Sequence, residues 1–184
     1  MTETQSQRPL RVVILTADGF EDMELFFPMF RLMEAGAVVD VAAPTKSVIH
    51  GEHGYRLEPT KSFDEVDAGD YDLLFIPGGF PDAAPDTVRN DARAVAITRA
   101  FLGARRPVAS ICHGPWTLVA ADGVRGRRLT SYWHDGVPED ITAAGGEFVD
   151  AAVVVDDNLV TSRWPMDLPD FMREVVKLVE SRRR

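Results

Sequence analysis

Cys112 is the single cysteine of this 184-residue chain, and it stands in the run Ala109-Ser110-Ile111-Cys112-His113-Gly114-Pro115. A lone cysteine is by default a small buried hydrophobe. Here it falls where an apolar, β-branched run gives way to a second apolar segment beginning Pro115-Trp116. That places it at a strand-to-helix turn, a geometry that exposes a nucleophile while a nearby glycine lets the backbone pass. The helix start turns unpaired N–H groups toward the sulfur, which favours thiolate and predicts a lowered thiol pKa. The same N–H groups can hold an oxyanion. His113 offers a general base. Side chains of consecutive residues usually diverge, so its ring need not reach the sulfur, and a turn-filling role stays open. Its backbone N–H suits an oxyanion hole in either case.

The elements that must position this turn are readable from apolar runs and breakers. Buried strands are predicted at residues 11–16 (RVVILT), 38–42, 73–76 and 107–111. Helices are predicted at 21–35, 91–102, 116–121, 139–144 and 168–182, with Pro28 expected to kink or split the first. Residues 48–59 read as a small hairpin, and 153–156 with 159–162 as another around Asp157-Asn158. Ser62 and Glu65 form a capping box. Residues 81–86 read as a loop, and 128–132 as a strand. Strands alternating with helices imply an α/β sandwich with a mainly parallel sheet, and ligands in such folds sit beyond the carboxyl ends of the strands. Segments 18–24, 78–86 and 112–116 all follow predicted strands, so they should converge at one sheet edge.

The formal net charge is −9, with 45% hydrophobic residues. An acidic surface repels phosphate backbones and anionic lipids, so neither nucleic acid nor a membrane is an expected partner. Residues 1–9 read as a flexible polar tail and 10–184 as a single domain. The terminal Arg182-Arg183-Arg184 suits a helix C-terminus. One cysteine forms no internal disulfide, and no apolar run reaches transmembrane length, so a cytoplasmic location is expected. His50 and His53 with Glu52 do not make a convincing zinc site. No phosphate loop or dinucleotide fingerprint occurs, and no cofactor is implied.

Five segments together resemble the ThiJ/PfpI superfamily, and within it the PfpI-type branch. They are residues 19–25 (GFEDMEL), 72–79 (DLLFIPGG), 107–115 (PVASICHGP), 129–132 (LTSY) and 153–163 (VVVDDNLVTSR). The resemblance implies a flavodoxin-like three-layer sandwich, related to class I glutamine amidotransferases, that forms a homodimer or a larger homo-oligomer. It implies Cys112 as nucleophile and Glu24 against its sulfur, held protonated by burial and like charge. It also implies a backbone oxyanion hole from Gly78-Gly79 and His113. The resemblance also implies that protease-type relatives carry Ala-Pro-Glu after the glycine pair, with that glutamate orienting the histidine of a neighbouring subunit. Here Ala84-Pro85-Asp86 stands in a longer loop, so Asp86, or Asp82, is a weakened candidate.

Trp116, Trp133, His134, Trp164, Phe26 and Phe27 all lie on segments predicted to converge. Singly each reads as core or contact surface; together they suggest an aromatic pocket for an apolar small molecule. The reading that follows is a cysteine- and glutamate-dependent enzyme acting on a small carbonyl-containing or electrophilic substrate. Its reaction would be hydration, hydrolysis, dehydration or conjugate addition, as in specialised metabolism. The alternatives are glyoxalase- or deglycase-type carbonyl detoxification, a PfpI-type cysteine peptidase, and a non-catalytic redox sensor or chaperone-like protein.

Overall fold

The computed structural model describes residues 8–182. The chain begins with β1 (Arg11–Leu15), α1 (Asp22–Glu34) and β2 (Val38–Ala43). Three short strands follow, β3 (Ile49–His50), β4 (Arg56–Leu57) and β5 (Lys61–Ser62). Next come β6 (Leu73–Ile76), α2 (Ala84–Asn90), α3 (Ala92–Gly103), β7 (Val108–Ile111) and α4 (Pro115–Ala120). The last third holds β8 (Arg128–Leu129), α5 (Val137–Ala143), β9 (Glu147–Phe148), β10 (Val153–Asp156), β11 (Leu159–Ser162) and α6 (Leu168–Arg182).

Seven strands form one sheet in the order β10-β11-β7-β6-β1-β2-β5. All neighbours are parallel except β10 and β11, the antiparallel hairpin turning at Asp157-Asn158. From β1 the chain steps to β2 on one side, and from β6 to β7 on the other. Right-handed crossovers in opposite directions put helices on opposite faces, which gives the three-layer sandwich. Accordingly α1 packs on α6, while α2 through α5 pack on one another. The strands β6 and β7 are buried along their whole length, as a doubly covered parallel sheet requires. Strand order reverses at β1, so the crevice beyond β1, β6 and β7 is where such a sheet binds ligands.

Three local expectations change. Pro28 neither splits nor ends α1, which runs unbroken from Asp22 to Glu34. The proline removes one backbone hydrogen bond, but Leu25, Pro28 and Leu32 are buried together, and that packing carries the helix through. The loop assigned to 81–86 stops early, because α2 starts at Ala84 with Pro85 in its first turn, where a missing donor costs little. The strand assigned to 128–132 is paired only at Arg128–Leu129. Thr130 and Tyr132 spend their N–H groups elsewhere, on Thr161 Oγ1 and on the Cys112 carbonyl. The hairpin β3–β4 and the Ser62–Glu65 capping box form as read. Residues 1–7 of the predicted tail lie outside the described residues, as do the side chains of the terminal arginines. Arg8 is tied to Asp72 by two hydrogen bonds of 2.8 and 2.5 Å.

Candidate active site

Cys112 ends β7 with φ +64°, a left-handed conformation that costs a non-glycine residue about 1–2 kcal/mol. The surroundings over-determine it. Its N–H donates to the Ser162 carbonyl at 3.2 Å, and its own carbonyl accepts from Tyr132 N–H at 2.9 Å. Gly114 lets the chain turn back into α4: a Cβ there would stand 2.5 Å from the Ile76 carbonyl and 2.6 Å from Ser110 Oγ. This is a nucleophile elbow, a strained strand-to-helix turn that lifts a side chain to the sheet edge.

Elbow geometry answers the question left open at His113. Its Nδ1 lies 3.2 Å from Cys112 Sγ, so the two consecutive side chains do meet. Its Nε2 lies 2.9 Å from Asp135 Oδ2. A neutral imidazole that donates Nε2–H to Asp135 presents a bare Nδ1 to the sulfur. Burial lowers the His113 pKa, and Asp135 opposes that lowering. Within one chain the carboxylate paired with His113 is therefore Asp135. Asp86 sits on α2, where Arg89 and Asn90 bind its side chain. Asp135 was missed because it lies three residues beyond the strand predicted at 128–132, in a turn that the apolar pattern does not place. Its signal was the Asp135-Gly136 pair directly after residues 129–132, since both residues adopt positive φ.

Glu24 comes from the first turn of α1 and is completely buried. The buried Glu21 carboxylate caps that helix, accepting the Glu24 N–H at 2.6 Å. Glu24 Oε2 accepts Gly78 N–H at 2.8 Å. A Cβ on Gly78 would come within 2.7 Å of that oxygen and 3.0 Å of Cys112 Sγ, so this glycine lets acid and thiol share one site. Glu24 Oε1 is buried with no hydrogen-bond partner among the described residues.

Burial pushes both Glu24 and the Cys112 thiol up; the charge of Glu24 repels a thiolate, while the thiol's hydrogen bond to Glu24 only partly offsets the burial of the acid. Glu24 is the more deeply enclosed, and nearby Glu21 pushes it the same way, so Glu24 holds the proton. With Glu24 neutral, repulsion on a Cys112 thiolate falls away, and the His113 backbone N–H that donates to Sγ pulls the thiol back down. The lowered thiol pKa expected from a helix N-terminus does not describe the resting site. Helix α4 has only six residues, and enclosure of the sulfur outweighs its dipole.

The site opens into a cleft of about 430 Å³ that reaches Cys112, His113, Glu24, Gly79, Tyr132 and Asp135. Gly79 adopts φ +153° and lies on Gly19-Phe20, where a Cβ would strike the Gly19 carbonyl at 2.3 Å. Of the six predicted aromatic lining residues, Trp164 alone faces this cleft, joined by Phe80. Trp116 is buried behind His113, with its Nε1–H on Asp140. Trp133 supports the wall edge-on to Trp164 and tilted against Tyr132. His134 packs on the outer side of the same group and is exposed. Phe26 and Phe27 line a separate hollow with Phe30 and Tyr55; Phe26, two residues on, is turned to the other side of α1 from Glu24. Among the described residues no cluster of His, Cys, Asp or Glu is arranged to hold a metal ion, and no helix is long and apolar enough to cross a membrane.

Comparison with known proteins agrees with this geometry. A deglycase of Pyrococcus abyssi is 48% identical over 171 residues, which is 93% of this chain and all of that protein. Protein/nucleic acid deglycase 2 of Escherichia coli is 41% identical over 172 residues, 92% of this chain and 97% of its own. The ThiJ/PfpI domain protein of Brachyspira murdochii has the same fold, with a TM-score of 0.87 at 23% identity over 95% of this chain and 99% of that one. A model of the DJ-1/PfpI family matches residues 10–178, from the strand before Glu24 to the last helix. Elbow, buried acid and sequence thus agree, and the chain belongs to the DJ-1/PfpI family.

Proposed function

We propose that this protein is a cysteine-dependent hydrolase of the deglycase type, which removes a small carbonyl fragment from the amine that carries it. The observation that carries the reading is the contact of Cys112 Sγ with His113 Nδ1 at 3.2 Å beside a buried Glu24. In the adduct, one carbon bears both a hydroxyl and the amine nitrogen. His113 Nδ1 takes the thiol proton, and Sγ bonds to that carbon as the C–N bond breaks. Glu24 gives its proton to the departing amine. Water then adds to the carbon as the C–S bond breaks, its proton returns to Glu24, and the proton on His113 returns to sulfur. The net reaction is hydrolysis of the C–N bond, with no oxidant, reductant or cofactor. Backbone N–H groups of Gly79 and His113 are available to an oxyanion.

This reading takes the carbonyl-detoxification alternative over hydration or dehydration of an apolar metabolite. The names of the relatives support it, and of the six aromatic residues expected to enclose an apolar metabolite only Trp164 lines the cleft. The test is release of free amine from a methylglyoxal–arginine adduct. Cys112→Ala is expected to lower that rate by about 10³-fold or more, and Glu24→Gln to remove the amine-release step. Equal rates in wild type and Cys112→Ala would sink the proposal. The His113–Asp135 pair also favours a second reading, since a Cys–His–Asp relay can open a peptide bond. Casein cleavage lost in Asp135→Asn is the result that reading requires.

A further inference from the structure

The cleft beside Cys112 is acidic. Carboxyl groups of Glu21, Glu24, Glu52 and Asp135 line it, and no lysine or arginine does so among the described residues. The guanidinium groups nearest its walls are already engaged. Arg163 is held by Asp150 and Asp167, and Arg89 by Asp86 while it lies over the Trp116 ring. The two lining histidines face carboxylates too, His53 toward Asp22 and Glu21 and His113 toward Asp135. Glu52 sits at the rim, on the turn between β3 and β4, with its backbone N–H fixed to the Phe20 carbonyl at 2.8 Å. Its side chain stands in the field of Glu21, and that crowding of like charge is what an incoming cation relieves. Tyr132 and Trp164 add ring faces that attract cations. A further sign of the ligand is Glu24 Oε1, buried and without a hydrogen-bond partner, from which the neutral acid can donate its proton to a nitrogen beside the reacting carbon.

We propose that this carboxylate wall, with Glu52 at its rim, selects substrates whose carried group is a cation, an ammonium or guanidinium, over anionic thiol- or phosphate-bearing adducts. The substrate class rests on the deglycase reading, whereas the charge selection is a property of the cleft itself. Because Cys112 is the only cysteine, thiol reagents report on this cleft alone.

The experiment compares rates of Cys112 modification by two methanethiosulfonates of similar size, one bearing trimethylammonium and one bearing sulfonate, each normalised to its rate with 2-mercaptoethanol. The cationic reagent is expected to react about tenfold faster at low ionic strength, and the preference to shrink in about 0.5 M salt. Loss of one charge at the rim changes the rate of a charged reagent about threefold, so Glu52→Gln should lower the preference by at least that factor. A normalised ratio near one in the wild type, or a ratio that Glu52→Gln leaves unchanged, overturns the proposal. A flat ratio with equal turnover of arginine- and glutathione-derived adducts refutes charge selection and leaves the deglycase reading standing. A steep, Glu52-dependent ratio with no amine released from any adduct upholds charge selection and refutes the deglycase reading.

Discussion

An imidazole bonded through Nε2 to Asp135 and facing Sγ through Nδ1 needs no further group to take the thiol proton. Asp135 does not touch sulfur in this arrangement; it sets the tautomer and tilt of His113. Asn tolerates the positive φ at this position and keeps an oxygen for Nε2–H. Asp135→Asn should therefore fold normally while lowering kcat about 100-fold. The pH profile gives a sharper test. Asp135 raises the His113 pKa against burial, so its neutralisation should move the acid limb of the activity profile to lower pH. A residue with a merely structural role would leave that limb in place. Asp86→Ala, which removes only the pairing with Arg89 and Asn90, should leave kcat within about twofold.

The elbow between β7 and α4 is where local strain serves chemistry. Cys112→Gly and Cys112→Ala should be equally inactive, yet the glycine variant should be about 1 kcal/mol the more stable by denaturant unfolding, because only glycine is at ease at φ +64°. If alanine proves the more stable, the elbow is not strained. Gly78 constrains the site by a different route. Its substitution by Ala should cost about 1–3 kcal/mol and disrupt the acid–thiol contact, since the new methyl would fall 2.7 Å from both Cys112 Cβ and Glu24 Oε2. Much of this was legible in the chain. Short apolar runs alternating with helical segments read as buried parallel strands, whose carboxyl ends bring Glu24, Gly78-Gly79 and Cys112 together. What could not be read depends on side-chain direction. Phe26 is two residues from Glu24, and helical rotation turns it toward another hollow, which Phe27 also lines. Asp135 reaches His113 across 22 residues through a loop with no strand to place it.

At the scale of the molecule, one buried carboxylic acid ties stability to pH. Glu24 is protonated in the fold and ionised in the unfolded chain above its ordinary value near 4.5, so folding takes up a proton. Its contribution is fully present below that value and is lost as pH rises toward its elevated folded pKa, at up to about 1.4 kcal/mol per pH unit. Glu21 and Glu52, raised by burial, act with the same sign. Glu24→Gln should flatten the decline in melting temperature between about pH 5 and pH 8 while abolishing turnover. A parallel decline in both proteins would show that Glu24 is ionised in the fold. The acid at the centre of the site is thus a standing cost to the fold, as at many functional sites.

The Asp22 side chain accepts the backbone N–H groups of His53 and Tyr55 at 2.8 and 3.2 Å, and Gly51 leaves it room, because a Cβ there would lie 2.3 Å from Oδ1. The hairpin carrying Glu52 is by this device fastened to the first turn of α1, two residues from Glu24. Read as amide hydrogen exchange, the consequence is that His53 and Tyr55, exposed on a turn, should exchange slowly and in step with the start of α1. In Asp22→Ala the two should exchange at the rates of an open loop, and the acidic rim of the cleft would no longer keep time with the acid at its floor.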